Sequence, residues 1–296
     1  MEPGTEAAAA LAPKRTMDPG LSWRIVSDGA LSGAANMARD DALAQALRPG
    51  TGIVRFYRWS PATLSLGRNE PLTARYRDFL RLNPGIGVVR RPTGGRAVIH
   101  DRELTYAAVL PARACGGPRE AYRRVTRGLV EGLRLLGVEA EAAGGRALPP
   151  DAGPCFLEAA EGEVVVGGRK LVGSAQMRIG AAVLQHGSVL RVADQSPLLA
   201  GPGGDGLAAS GNGGRGRHRD PPANAVTLTE LLEEAPSWEQ LVDAFSLGFA
   251  RALGGDWTRG TLTDEEQTLA RELIDKYGSA TWTWRRTGQQ SVDEPA

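Results

Sequence analysis

Residues Gly162–Arg191 read GEVVVGGRKLVGSAQMRIGAAVLQHGSVLR, and this stretch decides the fold. Val164 to Val166 is a β-branched run, Gly167-Gly168 is the dipeptide of a tight hairpin turn, and Lys170 opens the returning strand. Gly173 and Ser174 interrupt that strand, the usual mark of a bulge or of close backbone approach. After Ile179-Gly180 a second apolar run, Ala182 to Leu190, contains His186 and Gly187. Lysines mostly stay exposed, so Lys170 by itself reads as a solvated residue of a strand edge. Its setting among small residues also suits a lysine facing a ligand.

Composition narrows what surrounds this hairpin. The 296 residues can bury a sizeable core, and a formal net charge of +1 gives no global pull toward nucleic acid or an anionic membrane. No apolar run approaches the roughly 18 residues that span a bilayer. Residues 1–20 form an Ala/Pro-rich tail with Glu2, Glu6 and Asp18, read as disordered and unlike a secretory or transit signal. The two cysteines, Cys115 and Cys155, make no disulfide framework, so a cytoplasmic protein with reduced thiols is expected.

Asn36 to Leu47 has helical spacing with Asn36 as candidate cap. Strands are expected over 53–59, 63–66, 86–91, 97–99 and 104–110, with Pro92-Thr93-Gly94-Gly95 demanding a turn among them. Pro118 opens the longest helix, which carries a Tyr122, Val125, Leu129, Leu133 and Leu136 stripe and closes at Gly137. Residues 201–222 are a flexible Gly-rich loop, in which His218 reads as solvated. Ser237 with Gln240, and Thr263 with Glu266, are capping boxes, and Gly254 and Gly278 sit where helix-ending glycines belong. The pattern predicts an α+β fold, a mixed or antiparallel sheet with packed helices. Residues 21–253 are expected to form one domain, and 254–296 a helical extension packed on it.

Arg90-Arg91-Pro92-Thr93-Gly94-Gly95-Arg96 ends in Ala97-Val98-Ile99-His100-Asp101. Two glycines between strands let backbone N–H groups approach a polar group, and three arginines add fixed positive charge. The spacing is neither a P-loop nor a dinucleotide fingerprint. His100 beside Asp101 fits a general base or a structural hydrogen-bonder. Cys155 sits in Pro154-Cys155-Phe156, and Lys170 follows 15 residues on, so a hairpin could return the ammonium toward the sulfur. A nearby cation lowers a thiol pKa from about 8.5 toward neutrality. Cys115 has no such cation in its segment and reads as structural. No spacing of histidines and cysteines suggests a metal site.

These blocks resemble the lipoate–biotin protein ligase superfamily. The resemblance rests on WSPATLSLGRNE (Trp59–Glu70), RRPTGGRAVIHDRELTY (Arg90–Tyr106) and GRKLVGSAQMRIGAAVLQHGSVL (Gly168–Leu190). It extends over most of residues 22–286 and implies that superfamily's catalytic-domain fold. The Gly94-Gly95-Arg96 turn and the Cys155-Phe156 pair are most similar to the octanoyltransferase branch. That branch loads a lipoyl-domain lysine, as on the glycine-cleavage H protein, from octanoyl-acyl carrier protein. The resemblance implies Cys155 as acyl-thioester nucleophile and Lys170 as the group that lowers its pKa and orients the carbonyl. It further implies substrate contacts from Arg90, Arg91, Thr93, Gly94, Gly95, Arg96, His100, Gly173, Ser174, Ala175, Gln176 and His186. Thioester exchange is nearly isoenergetic, so no ATP and no other cofactor is expected, and splitting the transfer through a thiolate gives two easier steps. Two alternatives stay open. One is an amidotransferase using octanoyl-H protein as donor; the other is an ATP-dependent lipoate ligase.

Overall fold

The computed structural model describes residues 20–144, 159, 162–192 and 224–285. Its elements run β1 (Ser22–Leu31), α1 (Gly33–Gln45), β2 (Thr51–Trp59), β3 (Thr63–Leu66), α2 (Ala74–Leu82), β4 (Gly87–Arg90), β5 (Val98–His100) and β6 (Leu104–Pro111). Then come α3 (Pro118–Leu135), β7 (Glu141–Ala142), β8 (Val164–Val166), β9 (Arg169–Ile179) and β10 (Ala182–Val189). The chain continues with α4 (Leu228–Leu231), α5 (Trp238–Leu253), β11 (Asp256–Gly260), α6 (Asp264–Gly278) and α7 (Ala280–Thr283). The tail 1–19, the Cys155 segment and the 201–222 loop lie outside the described residues.

Among the described residues an eight-stranded sheet has the order β11-β1-β2-β6-β10-β9-β8-β7, and a three-stranded sheet the order β4-β3-β5. β11, β1 and β2 pair in parallel, and the remaining pairs of the large sheet are antiparallel. The fold is α+β with a mixed sheet and packed helices. Strand alternation sends successive residues to opposite faces. Tyr106 and Ala108 of β6 enter a core with Val125 and Leu129 of α3 and Phe245 and Phe249 of α5. Ala107 and Val109 join Met37 and Leu43 of α1 and Tyr277 of α6 on the other side. Both faces are thereby covered by helices.

Local chemistry explains the helix ends. Pro118 is the first residue of α3, and Gly137 beyond its end has φ +82°. Ser237 and Gln240 cap α5 reciprocally, with Ser237 N–H donating to Gln240 Oε1 at 2.7 Å and Gln240 N–H to Ser237 Oγ at 3.2 Å. Thr263 and Glu266 do the same for α6. The α1 cap differs from expectation. Ser32 holds that position, and Asn36 is buried inside the helix, where Nδ2 donates to the carbonyls of Leu31 and Arg58. Gly278 is the last residue of α6, and Ser279 ends that helix and caps α7. Beyond residue 253 a strand, β11, is present as well as helices, and β1 and α2 are elements the sequence patterns did not reveal.

α3 and α5 cross at glycines. A Cβ on Gly248 would stand 2.4 Å from the backbone nitrogen of Gly132 and 2.5 Å from the carbonyl oxygen of Gly128. Both neighbours are backbone, so relief requires the helices to part. Gly248→Ala should cost about 2 kcal/mol or more despite alanine's better helix propensity, read as a lower urea midpoint at constant slope.

Candidate active site

Lys170 is fully buried, not solvated. Gly167 (φ +56°) and Gly168 (φ +76°) make the tight turn that returns the chain from β8 to β9. A register shift between Val164 and Val165 sets Lys170 opposite Val165 and Val172 opposite Val164. The irregularity therefore falls just after Lys170; Gly173 and Ser174, expected to break the strand, continue it in register with Ser188 and Gly187. Lys170 is no edge residue because residues 224–226 run alongside it. Its N–H donates to the Asn224 carbonyl at 2.8 Å, and its carbonyl accepts from Val226 N–H at 3.0 Å. The ammonium lies 2.6 Å from Glu163 Oε2, and that carboxylate is itself only 5 % exposed. Burial of a charge is tolerated only with such a partner.

The glycine turn closes over the same sheet. Gly67 lies so close beneath it that a Cβ there would stand 1.8 Å from the Gly95 carbonyl oxygen. Gly95 has φ +85°, and a Cβ on it would lie 3.8 Å from that of Ala175 in β9. The three sequence blocks thus meet at Gly67, Gly95 and Ala175. Arg91 holds the turn's shape: its guanidinium donates to the carbonyls of Ser65 (3.0 Å), Gly94 (2.8 Å) and Arg96 (2.8 Å). Arg90 turns away, donating to the carbonyls of Gly67 (2.6 Å), Glu70 (2.8 Å) and Thr283 (2.9 Å). Arg96 is buried at 5 % exposure. Substrate contact is the expectation for both Arg90 and Arg91, and their guanidinium groups also brace the backbone on either side of the turn.

Thr93 is fixed by a relay across the sheet. His186 Nε2 lies 2.6 Å from Thr93 Oγ1, and His186 Nδ1 lies 2.9 Å from Asp40 Oδ2. A carboxylate only accepts, which assigns the imidazole proton to Nδ1 and makes Nε2 the acceptor of the Thr93 hydroxyl. Burial pushes the His186 pKa below the usual histidine range, against the pull of Asp40, so the ring is neutral at neutral pH. Asp40 is held in turn by Arg55 Nη1 at 2.7 Å and the Tyr57 hydroxyl at 2.8 Å.

Ser174 and Gln176 share another network. The Tyr106 hydroxyl lies 2.7 Å from Ser174 Oγ and accepts from Gln185 Nε2 at 3.2 Å, and Gln176 Nε2 donates to Gln185 Oε1 at 3.2 Å. Burial raises the Tyr106 pKa to about 12, so it stays a neutral phenol. On the β8 side, the pairing of β9 ends at Val172, and among the described residues Gly173–Ile179 pair with β10 alone. His100 is a buried hydrogen-bonder: Nδ1 meets Glu103 Oε1, which also accepts from Ser188 at 2.7 Å and Thr105 at 2.8 Å, and the ring stacks on Trp59 at 4.0 Å.

Sequence reasoning missed Glu163, Asp40, Arg55, Glu70 and Tyr106. Glu70 carries a signal in hindsight, because its carboxylate accepts the N–H groups of Gly67 (2.9 Å) and Ala97 (2.8 Å), one at each side of the turn. Cys115 is structural, buried with its thiol donating to the Ala112 carbonyl at 3.4 Å, and burial raises its pKa. Cys155 lies outside the described residues. Among those described, no group of three or more acidic, histidine or cysteine side chains could hold a metal ion. No described helix is long and apolar enough to cross a membrane.

The family model of the lipoyl protein ligase A/B catalytic domain matches residues 32–250. The chain is 40% identical over 280 residues to octanoyltransferase LipM of Symbiobacterium thermophilum, covering 90% of this chain and 99% of that one. It is also 40% identical over 278 residues to octanoyltransferase LipM of Kyrpidia tusciae, with 90% and 99% coverage. In fold it is similar to lipoate-protein ligase A bound with ATP, with a TM-score of 0.72 at 23% identity over 89% of this chain and 99% of that one. A bipartite lipoate protein ligase from Thermoplasma acidophilum gives 0.66 at 22% identity, over 92% and 100%. The chain belongs to the lipoyl protein ligase A/B catalytic-domain family, and its relatives place it with that family's acyltransferases.

Proposed function

We propose that the protein moves an octanoyl group from octanoyl-acyl carrier protein to a lipoyl-domain lysine, that of the glycine-cleavage H protein, through a thioester on Cys155. The observation that carries this reading is Lys170, an ammonium buried beside Glu163 at the head of the strand leading to Ser174–Gln176, in a chain 40% identical to an octanoyltransferase. In the first step the Cys155 thiolate attacks the donor carbonyl, and the carrier's sulfur leaves as thiolate and takes up a proton. In the second, the acceptor's neutral amine attacks the acyl-enzyme, the cysteine sulfur leaves, and the amine gives up one proton as the amide forms. An ammonium near the sulfur favours its thiolate as nucleophile in the first step and as leaving group in the second. Backbone N–H groups of β9, whose pairing toward β8 ends at Val172, suit the tetrahedral oxyanion. An apolar slot contributes roughly 0.8 kcal/mol for each methylene it buries.

The test is mass spectrometry after incubation with octanoyl-acyl carrier protein alone. The expected product carries octanoyl on Cys155, releases it to hydroxylamine and fails to form in Cys155→Ala. Label on Lys170, or none, would overturn the mechanism. Labelling only from octanoyl-H protein would make the protein an amidotransferase, and ATP-dependent product from Cys155→Ser would make it a ligase.

A further inference from the structure

Beside the glycine turn, the guanidinium groups of Arg90 and Arg285 both reach the backbone carbonyl of Arg68, and Glu70 is the acid that acts on Arg90. Arg285 donates to the backbone carbonyl of Arg68 and stacks on Trp282 at 3.8 Å. Trp282 Nε1 donates to the Arg90 carbonyl at 2.8 Å, and Arg90 Nε donates to the Thr283 carbonyl at 2.9 Å, so α7 holds Arg90 and Arg285 together beside the Arg68 backbone. None of the ion pairs among the described residues involves Arg68, Arg90 or Arg285. Arg90 is fully buried, and its Nη2 has no hydrogen-bond partner among the described residues. Glu70 is the nearby acid, but its oxygens are taken by Tyr76 and by the backbone of Gly67 and Ala97.

The crowding is visible in the titration of the groups. Arg90 is pushed down to about 10, by burial first and by the Arg285 charge second, against the pull of Glu70, and Arg285 is lowered by burial and by Arg68. Arg90 and Arg285 keep their charge at neutral pH, so the fold holds like charges near one another, a cost that a bound anion would offset. The arginines come from three separate segments, and Arg68 is exposed while Arg90 is buried. A carboxylate offers two oxygens in one plane; the non-bridging oxygens of a phosphate ester diverge and suit forks arriving from different directions. The cluster also touches the turn, because Arg68 N–H donates to the Thr93 carbonyl at 2.7 Å.

We propose that Arg68 and Arg285, above Arg90, bind a phosphate ester, and that the occupant is the phosphodiester of the phosphopantetheine arm carrying the donor's thioester. The identity of the occupant rests on the transfer reading above; the anion site does not. Calorimetry with phosphopantetheine and with pantetheine separates the two. Wild type should bind the phosphorylated compound at least tenfold more tightly, and Arg68→Gln and Arg285→Gln should each remove about tenfold or more of that preference, while Arg285→Lys keeps part of it. Arg68→Gln, at an exposed side chain, guards against a folding artefact at Arg285. In transfer, the ratio of kcat/KM for octanoyl-phosphopantetheine over octanoyl-pantetheine should fall by a similar factor in both Gln variants. Equal binding of the two compounds to wild type would overturn the site, as would variants that leave the preference intact. Tight binding of ATP or inorganic phosphate with no preference for phosphopantetheine would overturn the occupant. If no octanoyl donor gives product, the transfer reading fails and the binding comparison still decides the site.

Discussion

Lys170→Met is expected to cost about 3–5 kcal/mol of stability, because it strands the carboxylate of Glu163, 5 % exposed, without the ammonium 2.6 Å away. Exchanging a whole buried ion pair for apolar residues of similar size is often neutral, so Lys170→Met with Glu163→Leu should recover most of that loss. Octanoyl transfer should stay lost in the double variant, since the proposed mechanism needs that cation to hold the sulfur as thiolate. The iodoacetamide rate at Cys155 near pH 7 should fall with it. Urea unfolding and single-turnover transfer on the three proteins separate the two roles. A double variant that is stable and still active would reduce the pair to scaffolding.

Gly67→Ala should disable the enzyme without touching any residue of the reacting groups. The new methyl carbon would need the space 1.8 Å from the Gly95 carbonyl oxygen. Gly95 sits at φ +85° with its neighbours bound by Arg91, so the turn moves as a unit or the chain beneath it does. Either shift exceeds about 1 Å and should stretch the 2.6 Å contact between Thr93 and His186. Misplacement on that scale typically costs about a hundredfold in rate. The expected result is a drop in kcat/KM of that order, with a stability loss of about 1–3 kcal/mol. Gly85→Ala, whose Cβ would meet nothing within 4 Å, is the control for a generic glycine effect. A Gly67→Ala protein with normal transfer would show that the turn tolerates displacement.

Features written in adjacent residues were legible before the coordinates. The Gly167-Gly168 turn, the PTGG turn, the Pro118 start and both capping boxes depend on local backbone preferences, and each lies where the residues place it. Features made by long-range register were not. Lys170 looks solvated until residues 224–226 are seen beside it, which no local pattern announces. Glu158, Glu161 and Glu163 all precede the hairpin, and the pair that Glu163 makes with Lys170 depends on the register of β8 against β9. Asp40 and His186 are 146 residues apart in sequence and meet because α1 packs on the face that β10 presents. The Asn36 misreading has the same root: a capping residue by composition, it is drawn inward to hold the carbonyls of Leu31 and Arg58.

One edge strand of the large sheet, β11, is made late in synthesis, yet it covers β1, the earliest of the described strands. Until Asp256–Gly260 leave the ribosome, Ser22–Val26 have their outer row of amides and carbonyls bare, and Trp23 lacks the Trp257 ring that stacks on it at 4.9 Å. A nascent chain stopped before that point carries a sticky seam ready to zip onto another copy. Completing the polypeptide quenches it.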